Sequence, residues 1–422
     1  MNFNKEKIAG IAGMIQSNKY LQALSGGLML SLPLLIIGAI STLLSALPFE
    51  GYQTFIKTAG LKPYLALAAN FTIDMIAFYV SFLVAYRLAD SYEHDALMAG
   101  VSSSIAFLIL TPIGVFDKVA AIPFQWLGAS GLFVAMLVAI LSTYLYMLIV
   151  NKNWVIKMPA GVPPTVIKTF SSIIPIIAIL ALFTSINAIF GATEFKNIHN
   201  FIYKFLQIPL QHIGGSFWGL CTFIIISQIL WMFGVHGSMV TNVVAKPLLL
   251  SMDIANLAAF KAGEPLPFII SWSFRFLYSL LGGGGCTIGL CLLMAFKAKS
   301  EQLRTIGKIS LPTSFCSINE PLVFGIPIVL NATLAVPYLL TPLLTTTIAY
   351  VLTVMGIVPT PIGIFVPTGT PMFFSAFIEG GVMLVILQVI LVAFTVICYY
   401  PFFRKLDVQK CAEEAAYKNA EA

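Results

Sequence analysis

"SFCSINEPLVFGIPIVLN", residues 314–331, sets one carboxylate, Glu320, between Asn319 and Pro321 in a chain that is otherwise nearly free of charge. Pro321 removes a backbone donor and biases Glu320 away from helical angles, and Gly325 and Pro327 interrupt the residues just after it. The stretch therefore reads as a break in an apolar segment. A carboxylate at membrane depth is costly to bury, so such a group faces a cavity or a partner. Pro312 leaves a second reading open, in which it marks a loop and Glu320 is a solvated loop carboxylate. An amide beside a carboxylate on a break offers donors and acceptors together, which suits a hydroxyl-rich ligand.

The surroundings are those of a membrane protein. Hydrophobic residues make up 59% of the 422 positions and charged residues 9%, against roughly a quarter charged in soluble domains. Windows at 23–47, 64–86, 128–150, 170–190, 214–235, 276–296 and 376–400 each approach the ~20 apolar residues that cross a bilayer. The fold class is an all-α integral membrane protein with roughly eight to eleven crossings. The first twenty residues carry Lys5, Lys7 and Lys19, with Ile8, Ile11, Ala12 and Ile15 at helical spacing. They read as an interfacial amphipathic helix and not as a cleavable signal peptide.

Lys152, Lys157 and Lys168 share one short loop with no acid, and Lys297, Lys299, Arg304 and Lys308 share another with only Glu301. Both loops and the N-terminus are expected on the cytoplasmic side. Counting spans from there places Glu194–Asn200 outside and forces residues 236–267 to cross back, although Lys246, Asp253, Lys261 and Glu264 lie in them. A re-entrant or broken element is the expected repair, since irregular backbone at depth is tolerated where it lines a cavity.

The chain changes character near residue 200. Before it the spans are long; after it they are interrupted by "GVHG", "GGGG", "NEP" and "VPTGTP". Such breaks mark the binding half of a transporter. We expect residues 1–195 to form the amphipathic helix and interface helices, 196–404 a substrate-binding transport domain, and 405–422 a cytoplasmic tail of mixed charge.

Within the second half, His236 lies between Gly234 and Gly237, where a ligand can approach the backbone. It reads either as an interfacial histidine bonded to a carbonyl or as a group that donates to a hydroxyl. "LLGGGGCTIGL", 280–290, lacks the lysine of a phosphate loop and the third glycine of a dinucleotide loop. Gly285 and Gly289 are spaced for close helix contact. Trp231, Trp272, Phe373 and Phe374 offer flat faces to a sugar ring or pack as ordinary membrane aromatics. Arg275, Glu379 and Asp74 select no partner by spacing. The six cysteines have no metal-ligand spacing and read as buried small hydrophobes. No metal, no cofactor motif and no basic run with interleaved aromatics for nucleic acid is present.

Taken as a set, "DALMAGVSSSIAFLILTP" (95–112), "NWVIKMPAGVPPTVIKTFSSIIP" (153–175), "FGVHGS" (233–238) and "SINEPLVFGIPIVLN" (317–331) resemble the membrane, or enzyme IIC, component of the lactose/cellobiose family of the bacterial phosphotransferase system. The resemblance covers nearly the whole chain. It implies a homodimer in the bacterial plasma membrane. It also implies about ten spans with two re-entrant hairpins, an N-terminal interface domain and a C-terminal transport domain. The substrate implied is a β-linked disaccharide of the cellobiose, chitobiose or lactose type, released inside as its 6-phosphate. Phosphate would come from a phosphocysteine on a separate enzyme IIB, charged through enzyme IIA, HPr and enzyme I. The candidate catalytic residues are Glu320 and His236, and the candidate substrate-binding residues are these two with Asn319, Gly237, Ser238, Trp231 and Gly284.

The chemistry agrees. A sugar hydroxyl is a weak nucleophile, so phosphoryl transfer gains from a carboxylate within reach of its proton. Cys411, in "DVQKCAEEAA", has no glycine-rich nest to carry the phosphoryl group, so a partner protein is expected. The chain departs from the family pattern at "GIFVPTG" (363–369), Arg275, Phe276 and Ala332, beside the segments expected to face the sugar. A proton- or sodium-coupled secondary transporter uses the same polar groups and is the competing class.

Overall fold

The computed structural model describes residues 10–11, 13–46, 50–116, 119–159, 161–326, 331–367 and 369–421. Lys5, Lys7, Ile8 and Ala12 of the expected amphipathic helix, and Pro327, lie outside the described residues. Among the described residues, seven helices are long and apolar enough to cross a membrane, or up to nine if each of two bent helix pairs is one span. Ala96–Leu110 is a further, shorter apolar helix. The one departure from all-α among the described residues is a two-stranded antiparallel hairpin, Gly114–Phe116 with Val119–Ala121.

The chain divides into two compact units. One comprises residues 17–213 and 257–264. Its centre is built from Ile76–Ser91, Ala96–Leu110 and Leu132–Asn151, packed through Ala77, Ala89, Ala99, Ala106 and Ala135. Small side chains are what this setting demands. Lipid tails exert no hydrophobic drive between helices, so close backbone approach and dispersion must hold them. The Ser103 hydroxyl donates to the Ser81 carbonyl at 2.8 Å across that contact. Asp74 finds its partner here: Lys261 forms an ion pair with its carboxylate and also donates to Asn70.

The other unit comprises residues 1–16, 214–256 and 265–422. Phe217–Met232, residues 237–256 of the helix Gly237–Ala262, Ala332–Val354 and the 40-residue helix Val382–Glu421 frame a set of short, broken elements. These are Trp272–Ser279, a turn at 280–287, Ile288–Lys297, Glu301–Phe315, Glu320–Gly325 and Met372–Gly380. The Trp272–Cys286 and Ile288–Lys297 segments meet at a bend of 53°. Carbonyls freed by the breaks are met by side chains from elsewhere in the unit. Tyr399 Oη donates to the Gly285 carbonyl at 2.7 Å, Gln388 Nε2 to Leu277 at 2.9 Å, and Thr345 Oγ1 to Tyr278 at 2.7 Å. That satisfaction is the condition for irregular backbone inside an apolar bundle. Gly289 makes the close helix contact expected of it, since a Cβ there would lie 2.4 Å from the Thr395 backbone.

Two expectations are corrected. Residues 237–262 form one continuous helix of 26 residues, not a broken or re-entrant element. Its charges are accommodated sideways. Lys246 Nζ lies 5.2 Å from the Trp272 ring centroid and 5.3 Å from that of Phe365. Asp253 accepts from the backbone and hydroxyl of Ser273 at 3.0 and 3.1 Å. Second, Glu320 is not held out of helical geometry: it opens the turn Glu320–Gly325, with Pro321 in the first turn, where a missing N–H costs nothing. The break falls earlier, at Ser317, whose φ is +58°.

Candidate functional site

His236 sits at the corner between Phe217–Met232 and Gly237–Ala262, where Gly234 turns the chain at φ +82°. Its Nδ1 accepts the backbone N–H of Met239 at 3.2 Å, in the manner of a helix N-cap. An acceptor role at Nδ1 leaves the ring proton of the neutral imidazole on Nε2. That nitrogen lies 3.6 Å from Glu320 Oε1, and the two side chains are 31% and 44% exposed. The imidazole N–H is thus on the nitrogen nearer the carboxylate. The other oxygen, Glu320 Oε2, is a buried atom with no partner among the described residues.

The remaining candidates gather on the same spot. The Trp231 ring lies 4.2 Å from the His236 ring, tilted by 46°, and its Nε1 donates to Ser238 Oγ at 3.5 Å. Gly237 permits the crossing of the two helices, because a Cβ there would stand 1.8 Å from the Ser227 carbonyl oxygen. Asn319 Nδ2 donates to the Gly284 carbonyl at 2.7 Å and to Thr287 Oγ1 at 2.9 Å, tying the Glu320 turn to the glycine turn. Gly283, at φ +93°, is close enough that a Cβ would fall 2.4 Å from Asn319 Cγ. The structure thus brings together Glu320, His236, Asn319, Gly237, Ser238, Trp231 and Gly284, the seven residues singled out in the sequence.

Two residues were missed. Gly284 is packed closely by Tyr338 Oη, Trp231 Nε1 and Gln228 Oε1, which would lie 3.0, 3.6 and 3.8 Å from a Cβ on that glycine. Tyr338 Oη and Gln228 Oε1 are buried without partners among the described residues, like Glu320 Oε2. Buried polar atoms are nearly always bonded, so Tyr338 Oη and Gln228 Oε1 beside Gly284, with Glu320 Oε2 on the turn that Asn319 ties to it, stand out as groups with bonding capacity left over. No local signal marks either residue. Tyr338 lies in Ala332–Val354 and Gln228 in Phe217–Met232, each an isolated polar group on an apolar helix.

The other candidates do not join this site. Arg275 Nη1 donates to Asn242 Oδ1 at 2.6 Å, with its guanidinium 5.1 Å from the Trp272 ring. Glu379 is fully buried and accepts the Gly363 N–H at 2.9 Å, which pins the 363–366 segment. Phe373 packs against Phe315 at 6.2 Å, and Phe374 is 58% exposed.

Helices broken around a partly open polar centre, inside an apolar bundle with many spans, define a membrane transporter for a polar solute. The chain matches the "Phosphotransferase system, EIIC" family over residues 25–342. It is 39% identical to the "Lichenan permease IIC component" of Bacillus subtilis (strain 168), covering 97% of this chain and 94% of the relative. It is 38% identical to the "PTS system cellobiose-specific EIIC component" of Geobacillus stearothermophilus, covering 98% and 95%. The crystal structure of the transporter ChbC, the IIC component from the N,N'-diacetylchitobiose-specific phosphotransferase system, superposes with a TM-score of 0.91 at 36% identity, covering 98% of this chain and 99% of that one. This chain belongs to the phosphotransferase system EIIC family. It is a multi-span permease that acts with a IIB component on a sugar.

Proposed function

We propose that the sugar is a β-linked disaccharide of the cellobiose or chitobiose type, and that Glu320 is the group that takes the proton from its 6-hydroxyl. The carrying observation is the approach of His236 Nε2 to Glu320 Oε1 while Oε2 is left unpartnered among the described residues, as are Gln228 Oε1 and Tyr338 Oη. In this reading the hydroxyl donates to Oε2 and attacks the phosphorus of the phosphocysteine on enzyme IIB. The O–P bond forms, the S–P bond breaks, and the proton ends on Glu320. His236 holds the carboxylate in its ionised, correctly turned form. Gln228 and Tyr338 bond further hydroxyls, and the Trp231 face packs on a sugar ring.

The phosphoryl carrier is assigned to IIB because Cys411 lies within the regular helix Val382–Glu421, with no backbone nest around its thiol. IIB in turn receives phosphate through IIA, HPr and enzyme I. We further propose a homodimer in the bacterial plasma membrane with the basic loops and N-terminus inside. Residues 1–195 would supply the interface, 196–404 the transport domain and 405–422 the cytoplasmic tail. The names of the relatives support the substrate class, and membership of the EIIC family favours group translocation over ion coupling.

The test is uptake of radiolabelled cellobiose, chitobiose and lactose into vesicles loaded with phosphoenolpyruvate and the soluble phosphotransfer proteins. Trapped sugar phosphate that disappears when IIB is omitted is the expected result, and the best substrate names the sugar. Free sugar accumulating without those proteins would overturn the reading.

A further inference from the structure

The unit formed by residues 1–16, 214–256 and 265–422 carries, at the end bearing the 298–300 connection, an open cleft of about 430 Å³. Lys297, Lys299, Tyr400, Arg404 and Asp407 line it. Asp407 is the one acid on the wall, and its carboxylate is already engaged by the N–H groups of Lys299 and Ser300 at 3.0 and 2.9 Å. Among the described residues, no ion pair involves Lys297, Lys299 or Arg404. Three cations thus face one concavity whose single carboxylate is committed to the backbone. The same wall carries exposed apolar side chains: Tyr400 is 47% and Val408 70% exposed. Basic groups meeting exposed aromatics at the end of a spanning helix mark the level where lipid headgroups lie.

We propose that this cleft binds the phosphate of an anionic phospholipid headgroup. Arg404 supplies a planar fork that matches two phosphate oxygens, and the two lysines supply point charges around it. The exposed apolar faces of Tyr400 and Val408 on the cleft wall accommodate the first methylenes of the acyl chains, which a soluble phosphate ester would not use. Basic pockets between spanning helices recognise anionic headgroups by this combination.

The experiment is native mass spectrometry of the full-length protein in neutral detergent, titrated with phosphatidylglycerol or phosphatidylcholine. Wild type is expected to retain phosphatidylglycerol on the order of tenfold better than phosphatidylcholine. The triple variant K297Q/K299Q/R404Q is expected to lose that preference, whereas K297R/K299R/R404K and the out-of-cleft variant K308Q keep it. The charge-retaining triple separates lost charge from lost fold. Equal retention by wild type and the glutamine triple would overturn the proposal. Displacement of the lipid by millimolar inorganic phosphate would overturn the lipid source and assign the cleft to a soluble phosphate.

Discussion

Glu320 and Tyr338 are both polar groups without full partners among the described residues, but they carry different consequences. Replacing Glu320 by Gln keeps the shape and removes the proton acceptor. Phosphorylation in the vesicle assay is expected to fall by roughly 10²–10⁴, while sugar binding by the purified protein changes far less. At His236 the useful comparison is Gln against Ala. Gln keeps an N–H donor for the carboxylate and an acceptor for the Met239 N–H, so H236Q is expected to retain activity that H236A loses. Equal loss in both would remove the orienting role. Tyr338→Phe deletes a hydroxyl that has no partner among the described residues. Thermal stability in detergent is expected to hold or rise slightly, while sugar affinity weakens by about threefold to tenfold, the worth of one hydrogen bond. A stability loss with unchanged affinity would show that the hydroxyl serves the fold.

At the scale of elements, the site depends on how closely two helices cross. The N-terminus of Gly237–Ala262 reaches the Ser227 carbonyl only because residue 237 has no side chain. Gly237→Ala forces the helices apart, and overpacking of this kind costs about 1–3 kcal/mol. A lowered melting temperature and weakened sugar binding are expected together, because Ser238 and His236 move with the helix end. Gly263→Ala is the comparison: its φ is +74°, but nothing lies within 4 Å of the added Cβ. It is expected to cost backbone strain and leave sugar binding alone. The same logic explains why Gly237–Ala262 can run unbroken despite Lys246 and Asp253. Each charge meets rings or donors supplied by Trp272, Phe365 and Ser273, so the helix has no need to break to reach water.

For the whole molecule, the ion pair of Asp74 and Lys261 ties two distant stretches of sequence within one unit, with side chains 26% and 18% exposed. Asp74→Ala leaves the Lys261 ammonium with Asn70 alone. A loss of roughly 1–3 kcal/mol is expected, read as a lower melting temperature in detergent. The double variant D74A/K261A should recover part of it, since the uncompensated charge goes with the second substitution. Additive losses would mean the pair contributes nothing beyond its separate side chains.

The class of this protein was determined by composition alone, because few charges and many apolar windows admit only a membrane solution. Its polar centre was half visible for the same reason: a carboxylate, an imidazole and an amide stand out against an apolar chain, and Glu320, His236 and Asn319 could be picked without coordinates. The turn glycines were legible too, though not which of them packs beside Gln228. Only the tertiary structure decided the rest. Gln228 and Tyr338 lie far apart in the chain, at ordinary positions on ordinary helices, and meet only when folding leaves them beside Gly284, unpartnered among the described residues. The His236 tautomer depends on one N–H of the following helix. Whether the 237–262 segment breaks was likewise not written in its own residues, since the cost of its buried charges is set by neighbours that other segments bring.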